Sequence, residues 1–482
     1  MKDKPWDMVC FSSIELSESL IQNKTVKTNI TLNKLDRKKA SFTLIIKYED
    51  GVDKSHLPLL RLAFVMPLLN YGLFSEKFKL DFPLSRSDLK LLEGLNNVFS
   101  KDIFVNKILR RRANYILPEY LPREEDVRPD DAKPRAKIEG LEVYDDKIIS
   151  TGLDKNSCGV LSSGGKESLL TYGLLKEIGC KVYPLYVNES GGHWRTALPG
   201  YRYHKKSEPN NQRVWTNVDR FYVFMLDNLK FIRPDHREVW ADTYPIRLCI
   251  FPYYVFLLLP LFVDKKIGNL LIGNEFDDLR TSPEYLGINH YYGVYDQHQD
   301  YDIVMNDWYA KRIHGLVQWS AVRNISGLIA ERLLVKRFPE LARYQRSCHS
   351  CHFEKSEIVP CGKCSKCMGV LLFLLANKSD PRIMNFKKED VDYFSKLLAP
   401  SILRLDQDEK DHSFFLLHGT GKAKKGRYVD HVEKIHLNDK TCDIRLIPEA
   451  FRDKIMKIIE NYTTGFCRLK DEKWVSIDDK IL

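Results

Sequence analysis

The chain has 482 residues and a net charge of +10, from 75 basic and 65 acidic side chains, and it exceeds one ordinary compact unit, so we expect about two or three domains. Hydrophobic residues make up 44% and charged residues 29%, which is typical of a soluble globular protein. The apolar runs LPLLRLAFVMPLLNYGLF and FPYYVFLLLPLFV fall short of the about 18–20 uninterrupted apolar residues of a spanning helix, and the first residues lack a signal-peptide core. We therefore expect a cytoplasmic protein without a membrane partner, whose positive charge suits an anionic ligand.

The pattern along the chain predicts four regions. Residues 1–120 mix alternating and helical segments, which predicts a separate N-terminal α+β domain of unknown role. A segment rich in proline and charge predicts a linker over 121–139. Over 140–380, short apolar runs alternate with longer amphipathic segments, which predicts an α/β fold with a doubly wound, mostly parallel sheet. Residues 381–482 form a mixed basic C-terminal region.

The sequence SSGGKES joins a predicted strand, Cys158–Leu161, to a predicted helix that ends at Ile178. Glycines at such a joint permit positive φ and let backbone N–H groups approach an anion, and the helix N-terminus adds further donors. The joint has neither the Walker A nor the G-x-G-x-x-G spacing. It predicts a phosphate cradle, with an ordinary glycine-rich turn as the alternative. The candidate nucleotide-binding residues of this joint are Ser163, Gly164, Gly165, Lys166, Glu167 and Ser168.

Two later predicted strands, VYPLYV and NLLIGNE, end at polar residues that should lie at the same edge of the sheet. Gly273 would allow close backbone approach, while Asn274 and Glu275 could hold ribose, magnesium or substrate. Asn188 and Glu189 would face the nucleotide as well, and ordinary strand-end caps are the alternative for all of these residues.

The run NHYYGVYDQHQDYD carries too many carboxylates and polar aromatics for a core strand. It could line an acceptor pocket or form a solvated loop. The candidate pocket residues of this run are His290, Tyr295, Asp296, His298 and Asp300.

Five of the 11 cysteines lie within residues 348–367 and have the spacing C-x2-C-x9-C-x2-C-x2-C. Pairs of thiolates two residues apart are typical of tetrahedral zinc, and four of them leave no open position for catalysis. We predict a structural zinc, with an iron–sulfur cluster as the alternative. The chosen ligands are Cys351, Cys361, Cys364 and Cys367, with Cys348 as an alternative ligand.

The glycine joint resembles the PP-loop, S-G-G-x-D-S, of the N-type ATP pyrophosphatases. Ser163, Gly164, Gly165 and Ser168 match this motif, whereas Glu167 stands where the family usually has Asp. The resemblance implies a PP-loop (HUP-like) fold, ATP binding through the β- and γ-phosphates, and Mg²⁺ as a cofactor beside the structural Zn²⁺.

The joint and the cysteine knuckle together resemble the 7-cyano-7-deazaguanine synthases. Over more of the chain, the order of LIGNEFDDL, GINHYYGVYDQHQDYD, SGLIAERLL and the knuckle is similar to that of ATP-dependent UDP-N-acetylmuramoyl-dipeptide glutamate epimerases. In both groups ATP activates a carboxylate as an acyl-adenylate, and AMP and pyrophosphate are the products.

The resemblance implies an AMP-forming adenylating enzyme that acts on a small-molecule carboxylate, followed by amide or nitrile formation, ligation or epimerisation. Lys166 and Glu275 are the candidate catalytic residues, because Lys166 would meet the charge that develops on pyrophosphate. A homodimer stays open.

Two alternatives remain. One is a tRNA-modifying enzyme whose basic loop, with Lys422, Lys424, Lys425 and Arg427, binds phosphates. The other is a noncatalytic nucleotide-binding sensor or scaffold in which Glu167 reflects lost turnover.

Overall fold

The computed structural model describes residues 6–110, 114–238, 246–348, 350–397, 403, 405–418 and 426–477. The strands are β1 (Phe11–Leu16), β2 (Leu20–Gln22), β3 (Thr25–Lys34), β4 (Lys39–Tyr48), β5 (Lys77–Leu80), β6 (Leu84–Ser85), β7 (Lys137–Glu139), β8 (Val143–Tyr144), β9 (Asp154–Leu161), β10 (Lys181–Asn188), β11 (Gln212–Thr216), β12 (Ile267–Leu271), β13 (Glu284–Tyr285), β14 (Ile288–Asn289), β15 (Val317–Trp319), β16 (His352–Glu354), β17 (Glu357–Val359), β18 (Ile435–Leu437), β19 (Phe466–Lys470) and β20 (Lys473–Ile477). The helices are α1 (Leu57–Val65), α2 (Arg86–Ile103), α3 (Lys166–Glu177), α4 (Gly192–Ser207), α5 (Val218–Asn228), α6 (Phe251–Asp264), α7 (Gln299–Arg312), α8 (Gly327–Arg337), α9 (Pro339–Ala342), α10 (Ser365–Ala376), α11 (Lys388–Leu397), α12 (Gln407–His418) and α13 (Glu449–Glu460).

A mixed α/β architecture surrounds one large sheet, which has 11 strands among the described residues. Along the sheet the order is β15-β12-β9-β10-β11-β4-β3-β1-β5-β7, with β2 paired to β3. The first five strands of this order are parallel to one another. The predicted central α/β region with a mostly parallel sheet is confirmed at this level.

Helices cover both faces of the parallel half because its strands are apolar on both sides. Leu270 and Leu271 are neighbours on β12, yet one packs into the core on one face and the other into the core on the opposite face. On β10, Val182 and Leu185 are divided in the same way. Strands buried on both faces read as continuous apolar runs, which is why the sequence pattern identified them.

The N-terminal strands extend the central sheet, so the expected separate N-terminal domain is wrong in this respect. Antiparallel pairing joins β4 to β11, with Val214 opposite Tyr48. Tyr48 also donates a hydrogen bond to the carbonyl oxygen of Leu257 in α6, and both residues belong to one buried core. Strand pairing and a shared core therefore join the two regions.

The predicted linker over 121–139 also contributes to this sheet. Its last residues form β7, which pairs in parallel with β5 at the edge. Ala132 and Val127, from the same segment, are buried. Proline and charged residues are typical of a linker, but short 3-10 turns and edge strands have the same composition, so the sequence could not separate these cases.

The second apolar run forms α6, whose side chains are mostly buried in the core. None of the described helices combines the length and the apolar character that crossing a membrane requires. A smaller sheet, β18-β19-β20, lies in the C-terminal region.

Candidate functional site

The glycine joint is a tight loop between β9 and α3, as the sequence predicts. Gly164 has φ +74°, and a Cβ at this position would lie 2.7 Å from the carbonyl oxygen of Thr196. Only glycine combines that backbone conformation with that approach. The Oγ of Ser163 accepts a hydrogen bond from Gly165 N at 3.3 Å, and Arg346 N donates to Gly164 O at 2.9 Å. The loop is therefore fixed both by its own residues and by the chain beyond α9.

A cavity of about 390 Å³ lies against this loop, at the carboxyl ends of β9, β10 and β12. We call it the larger cavity. Apolar side chains from β10 and α6 form one wall, and the loop with the start of α3 forms another. The loop residues that line it are Ser162, Ser163, Gly165, Glu167 and Ser168.

Three cationic side chains also line the larger cavity: Arg247, Arg346 and Lys366. Arg346 donates from Nε to Ile358 O at 2.8 Å and from Nη1 to Gln345 O at 2.6 Å, so carbonyl groups hold it in place. Burial lowers the pKa of Arg346 to about 10, which still leaves it charged at neutral pH. An anionic ligand would find positive charge here.

Glu189 provides a buried carboxylate beside Arg247 in the larger cavity. Burial raises its pKa, although Arg247 Nη1 lies 3.8 Å from Glu189 Oε2 and opposes the shift. The hydroxyl of Tyr254 donates to the same carboxylate. Glu189 was a candidate strand-end residue, and the structure places it on the cavity wall.

Lys166 faces a different cavity from the loop that precedes it. Its Nζ lies 2.8 Å from Glu275 Oε2 and 3.2 Å from Glu167 Oε1, and it also donates to Gly327 O at 3.3 Å. These contacts direct the ammonium group toward a second cavity, which has a volume of about 360 Å³ and which we call the smaller cavity. Lys166 is not among the described residues that line the larger cavity, so the loop and Lys166 do not form one cradle here.

The smaller cavity is rich in carboxylates. Burial raises the pKa of Glu167 and of Glu331 to about 7, while Lys166 opposes both shifts. Burial also raises the pKa of Glu409, which lies nearby, to about 7. Burial acts in the same direction on Glu275, but its contact with Lys166 outweighs this and leaves its pKa below the usual value. The lysines that line this cavity, Lys166 and Lys366, are fewer than its glutamates, Glu167, Glu275 and Glu331.

The two cavities share a wall, formed by Glu167, Ser347 and Lys366. Lys366 lies in the first turn of α10, between Cys364 and Cys367. It was not predicted, although its position inside a C-x2-C pair was a usable signal. Glu331 lies within SGLIAERLL, which the resemblance quoted without giving this residue a role, and nothing in the sequence pattern marked Arg247, Arg346, Ser347 or Gln345.

The other strand-end candidates have different positions. A Cβ on Gly273 would lie 2.8 Å from Glu167 Cβ, so this glycine allows close approach to the start of α3 and also lines the larger cavity. Asn274 is 2% exposed, and Asn188 accepts a hydrogen bond from Ser190 N at 3.0 Å. Neither asparagine is among the described residues that line the two cavities.

The polar run over 289–302 contributes one residue to the larger cavity, and that residue is not one of the five predicted candidates. Asp296 accepts from Ile250 N at 2.9 Å and from Phe251 N at 3.0 Å, so it caps the start of α6. Gln297 lines the larger cavity. None of the five candidates from this run is among the described lining residues of either cavity.

Four cysteines form a cluster that could hold a metal ion, and one of them differs from the prediction. The thiol sulfurs of Cys348, Cys361, Cys364 and Cys367 lie within 4.8 Å of one another. Cys364 and Cys348 are 3.5 Å apart and Cys361 and Cys367 are 3.9 Å apart, close to the about 3.8 Å between sulfurs that Zn–S bonds of about 2.3 Å require. Four converging sulfurs fit tetrahedral zinc.

Cys351, which was the first choice, lies outside this group. Its sulfur contacts the carbonyl oxygen of Cys348 instead, and its own carbonyl accepts a hydrogen bond from Arg195 Nη1 at 3.0 Å. Spacing alone could not decide between Cys348 and Cys351, because the x9 loop is long enough for either sulfur to reach the knuckle.

A second group of side chains could ligate a metal ion, but an arginine already contacts its carboxylates. The group consists of Asp278, Asp408 and His431. Arg280 Nη2 lies 2.6 Å from Asp278 Oδ2 and also donates to Asp408. The guanidinium satisfies these carboxylates, so the group is an ion-pair network.

The basic loop of the tRNA alternative is described only in part. Lys422, Lys424 and Lys425 lie outside the described residues. Arg427 contacts Asp408 and lies 3.5 Å from Asp411 Oδ2, so these neighbouring carboxylates engage its guanidinium.

In comparisons with protein-family models, curated proteins and solved structures, the chain matches none of them. Function is therefore inferred from the geometry of the two cavities and of the cysteine cluster.

Proposed function

We propose that the protein is an ATP-dependent, AMP-forming adenylating enzyme that activates a small-molecule carboxylate as an acyl-adenylate. The observation that carries the proposal is the larger cavity, where a glycine loop, a helix N-terminus and three cationic side chains meet at the carboxyl ends of parallel strands. In this half of the sheet the order β15-β12-β9-β10-β11 is that of a doubly wound sheet, whose ligands bind at this edge. These features support a PP-loop fold.

The residues of the larger cavity fit a nucleoside triphosphate. The backbone N–H groups at the start of α3 suit phosphate oxygens, and Arg346 and Lys366 would balance their charge. Apolar side chains such as Ile272 and Phe251 suit a base. Glu167 would hold Mg²⁺, because it lies beside the loop on the wall that both cavities share.

The chemistry follows from position and charge. A carboxylate oxygen in line with the α-phosphate attacks it, the bond to the bridging oxygen breaks, and pyrophosphate leaves with the electron pair. Lys366, Arg346 and the loop amides would stabilise the leaving group, and Lys366 replaces Lys166 as the main countercharge in this proposal. A structural zinc would help to hold Lys366 in position for this role, because two of the zinc ligands, Cys364 and Cys367, flank it.

The test is to incubate the purified protein with ATP, Mg²⁺ and a small-metabolite extract, and to quantify AMP, ADP and pyrophosphate. We expect equal release of AMP and pyrophosphate that depends on the extract and is lost in Lys366→Met. Slower AMP release in Ser163→Ala would support a role of the loop in the reaction. Slower AMP release in Lys166→Ala would show that Lys166 also serves the reaction. Release of ADP and phosphate would contradict the proposal. Stimulation by tRNA alone would favour the tRNA-modifying alternative, and tight ATP binding without turnover would favour a sensor.

A further inference from the structure

Two residues that line the smaller cavity each have a buried side-chain oxygen without a hydrogen-bond donor in the described part of the protein. These oxygens are Glu331 Oε1 and Gln345 Oε1, on side chains that are 0% and 2% exposed. The other ends of these side chains bond to each other, since Gln345 Nε2 donates to Glu331 Oε2 at 3.0 Å. That contact fixes the orientation of the amide and leaves both Oε1 atoms as acceptors. A ligand with N–H donors would satisfy both.

The charge of the smaller cavity has the same implication. Glu167, Glu275 and Glu331 line it with Lys166 and Lys366 as the cations, and Lys166 already contacts two of the three glutamates. Burial leaves the pKa of Glu331 at about 7, so this carboxylate lacks a sufficient countercharge. A cationic ligand would provide it.

Size and shape favour an organic cation over a metal ion. Among the described residues, the glutamates of this cavity are not a set whose oxygens converge within 4.8 Å, as metal ligands must. A volume of about 360 Å³ is also far larger than one ion needs. The apolar residues Val370, Phe373 and Leu405 also line this cavity. An ammonium group attached to an apolar body matches both kinds of lining residue.

We propose that the smaller cavity binds a primary organic amine, with Glu331 and Gln345 accepting hydrogen bonds from its ammonium group. The amine would lie across the shared wall from the nucleotide cavity, beside Ser347 and Lys366.

The role of this amine as the acceptor rests on the proposed function, whereas its binding does not. In that role the ammonium first gives a proton to the Glu331 carboxylate. The nitrogen lone pair then attacks the acyl carbon of the acyl-adenylate, a C–N bond forms, and the C–O bond to AMP breaks. AMP leaves with the electron pair, the nitrogen loses a second proton to solvent, and the product is an amide.

The test uses the full-length protein without ATP, so a failure of adenylation cannot affect it. Butylammonium, tetramethylammonium and butyrate are each titrated in saturation-transfer NMR at equal ionic strength. We expect butylammonium to bind about tenfold or more tightly than the other two, because only it combines a cation with N–H donors. Equal affinities of the three probes, or stronger binding of butyrate, would overturn the proposal.

Variants locate the binding. Glu331→Gln should weaken butylammonium about tenfold, and Gln345→Met, which removes the acceptor oxygen, should weaken it severalfold. Glu340→Gln, an exposed change just beyond the same helix, is the matched control and should have no effect. Unchanged affinity in both cavity variants would overturn the proposal. If Glu331→Gln does not fold, Gln345→Met decides. If the amine binds but the protein releases no AMP in the adenylation assay, the proposed function is wrong and the amine-binding site still stands.

Discussion

The two cavities share a wall but differ in charge. The larger one combines glycine-loop amides and three cationic side chains with Glu167 and Glu189, whereas the smaller one has three glutamates with Lys166 and Lys366. The loop backbone faces one side, and the Lys166 side chain that follows it faces the other. A sequence motif therefore fixes where the backbone goes more firmly than where its charged side chain points.

The cysteine cluster connects the two cavities, because Lys366 follows Cys364 and precedes Cys367. Among the described residues, Lys366 is the one cation that lines both cavities, and the zinc ligands would thus hold it in place. Changes at the cluster should affect both sides, changes at the loop only the larger cavity, and changes at Glu331 only the smaller one.

The largest effect is expected from Cys348→Ser. This change removes one of the four converging sulfurs, so we expect the zinc content to fall from about one ion per chain to near zero. Cys351→Ser is the matched control and should retain the metal, because the Cys351 sulfur lies outside the group. Metal analysis of the purified variants is the measurement. Zinc lost from the Cys351 variant and kept in the Cys348 variant would restore the original ligand choice.

The next effect is expected from Lys366→Met. Removing a positive charge beside the leaving pyrophosphate should slow AMP formation about 100- to 1000-fold. Lys363→Met is the control, since Lys363 lies between Cys361 and Cys364 in the same knuckle but is exposed outside both cavities. Comparable slowing in both variants would mean that the knuckle acts through its fold and not through the Lys366 charge.

The sequence predicted the elements whose signals are local. The parallel strands, the loop at Gly164 and the cysteine knuckle follow from apolar runs, glycine and spacing, and the structure contains them. It did not predict β4 pairing with β11, because that contact joins segments far apart in the chain. Glu331 and Gln345 were missed for the same reason, since their polar ends meet other elements only after folding.

Gly164→Ala should act on the larger cavity alone. A left-handed φ costs a non-glycine residue about 1–2 kcal/mol, and the added methyl group, 2.7 Å from Thr196 O, adds about 1–3 kcal/mol. We expect the loop to shift and ATP binding to weaken. Gly152→Ala separates the two causes, because Gly152 has φ +70° with nothing within 4 Å of its Cβ position. Denaturant unfolding and ATP titration check both variants, and equal losses would show that the contact with Thr196 is unimportant.

The smallest effect is expected from Glu331→Gln. It should be confined to the smaller cavity. Burial raises the pKa of Glu331 from 4.5 to about 7, with Lys166 opposing the shift and Glu167 and Glu275 adding to it. Between these pH values the folded protein keeps a proton that the unfolded chain has lost, so the free energy of unfolding falls as pH rises, and the loss is complete above about pH 7. Glutamine cannot ionise and avoids this loss.

The variant should therefore match the wild type near pH 4 and exceed its stability by about 1–3 kcal/mol near pH 8. Denaturant unfolding at both pH values tests this, with Glu340→Gln as the unaffected control. A less stable variant near pH 8 would show that the Glu331 carboxylate is ionised and stabilised by Lys166. The smaller cavity would then need no further cation to balance its carboxylates.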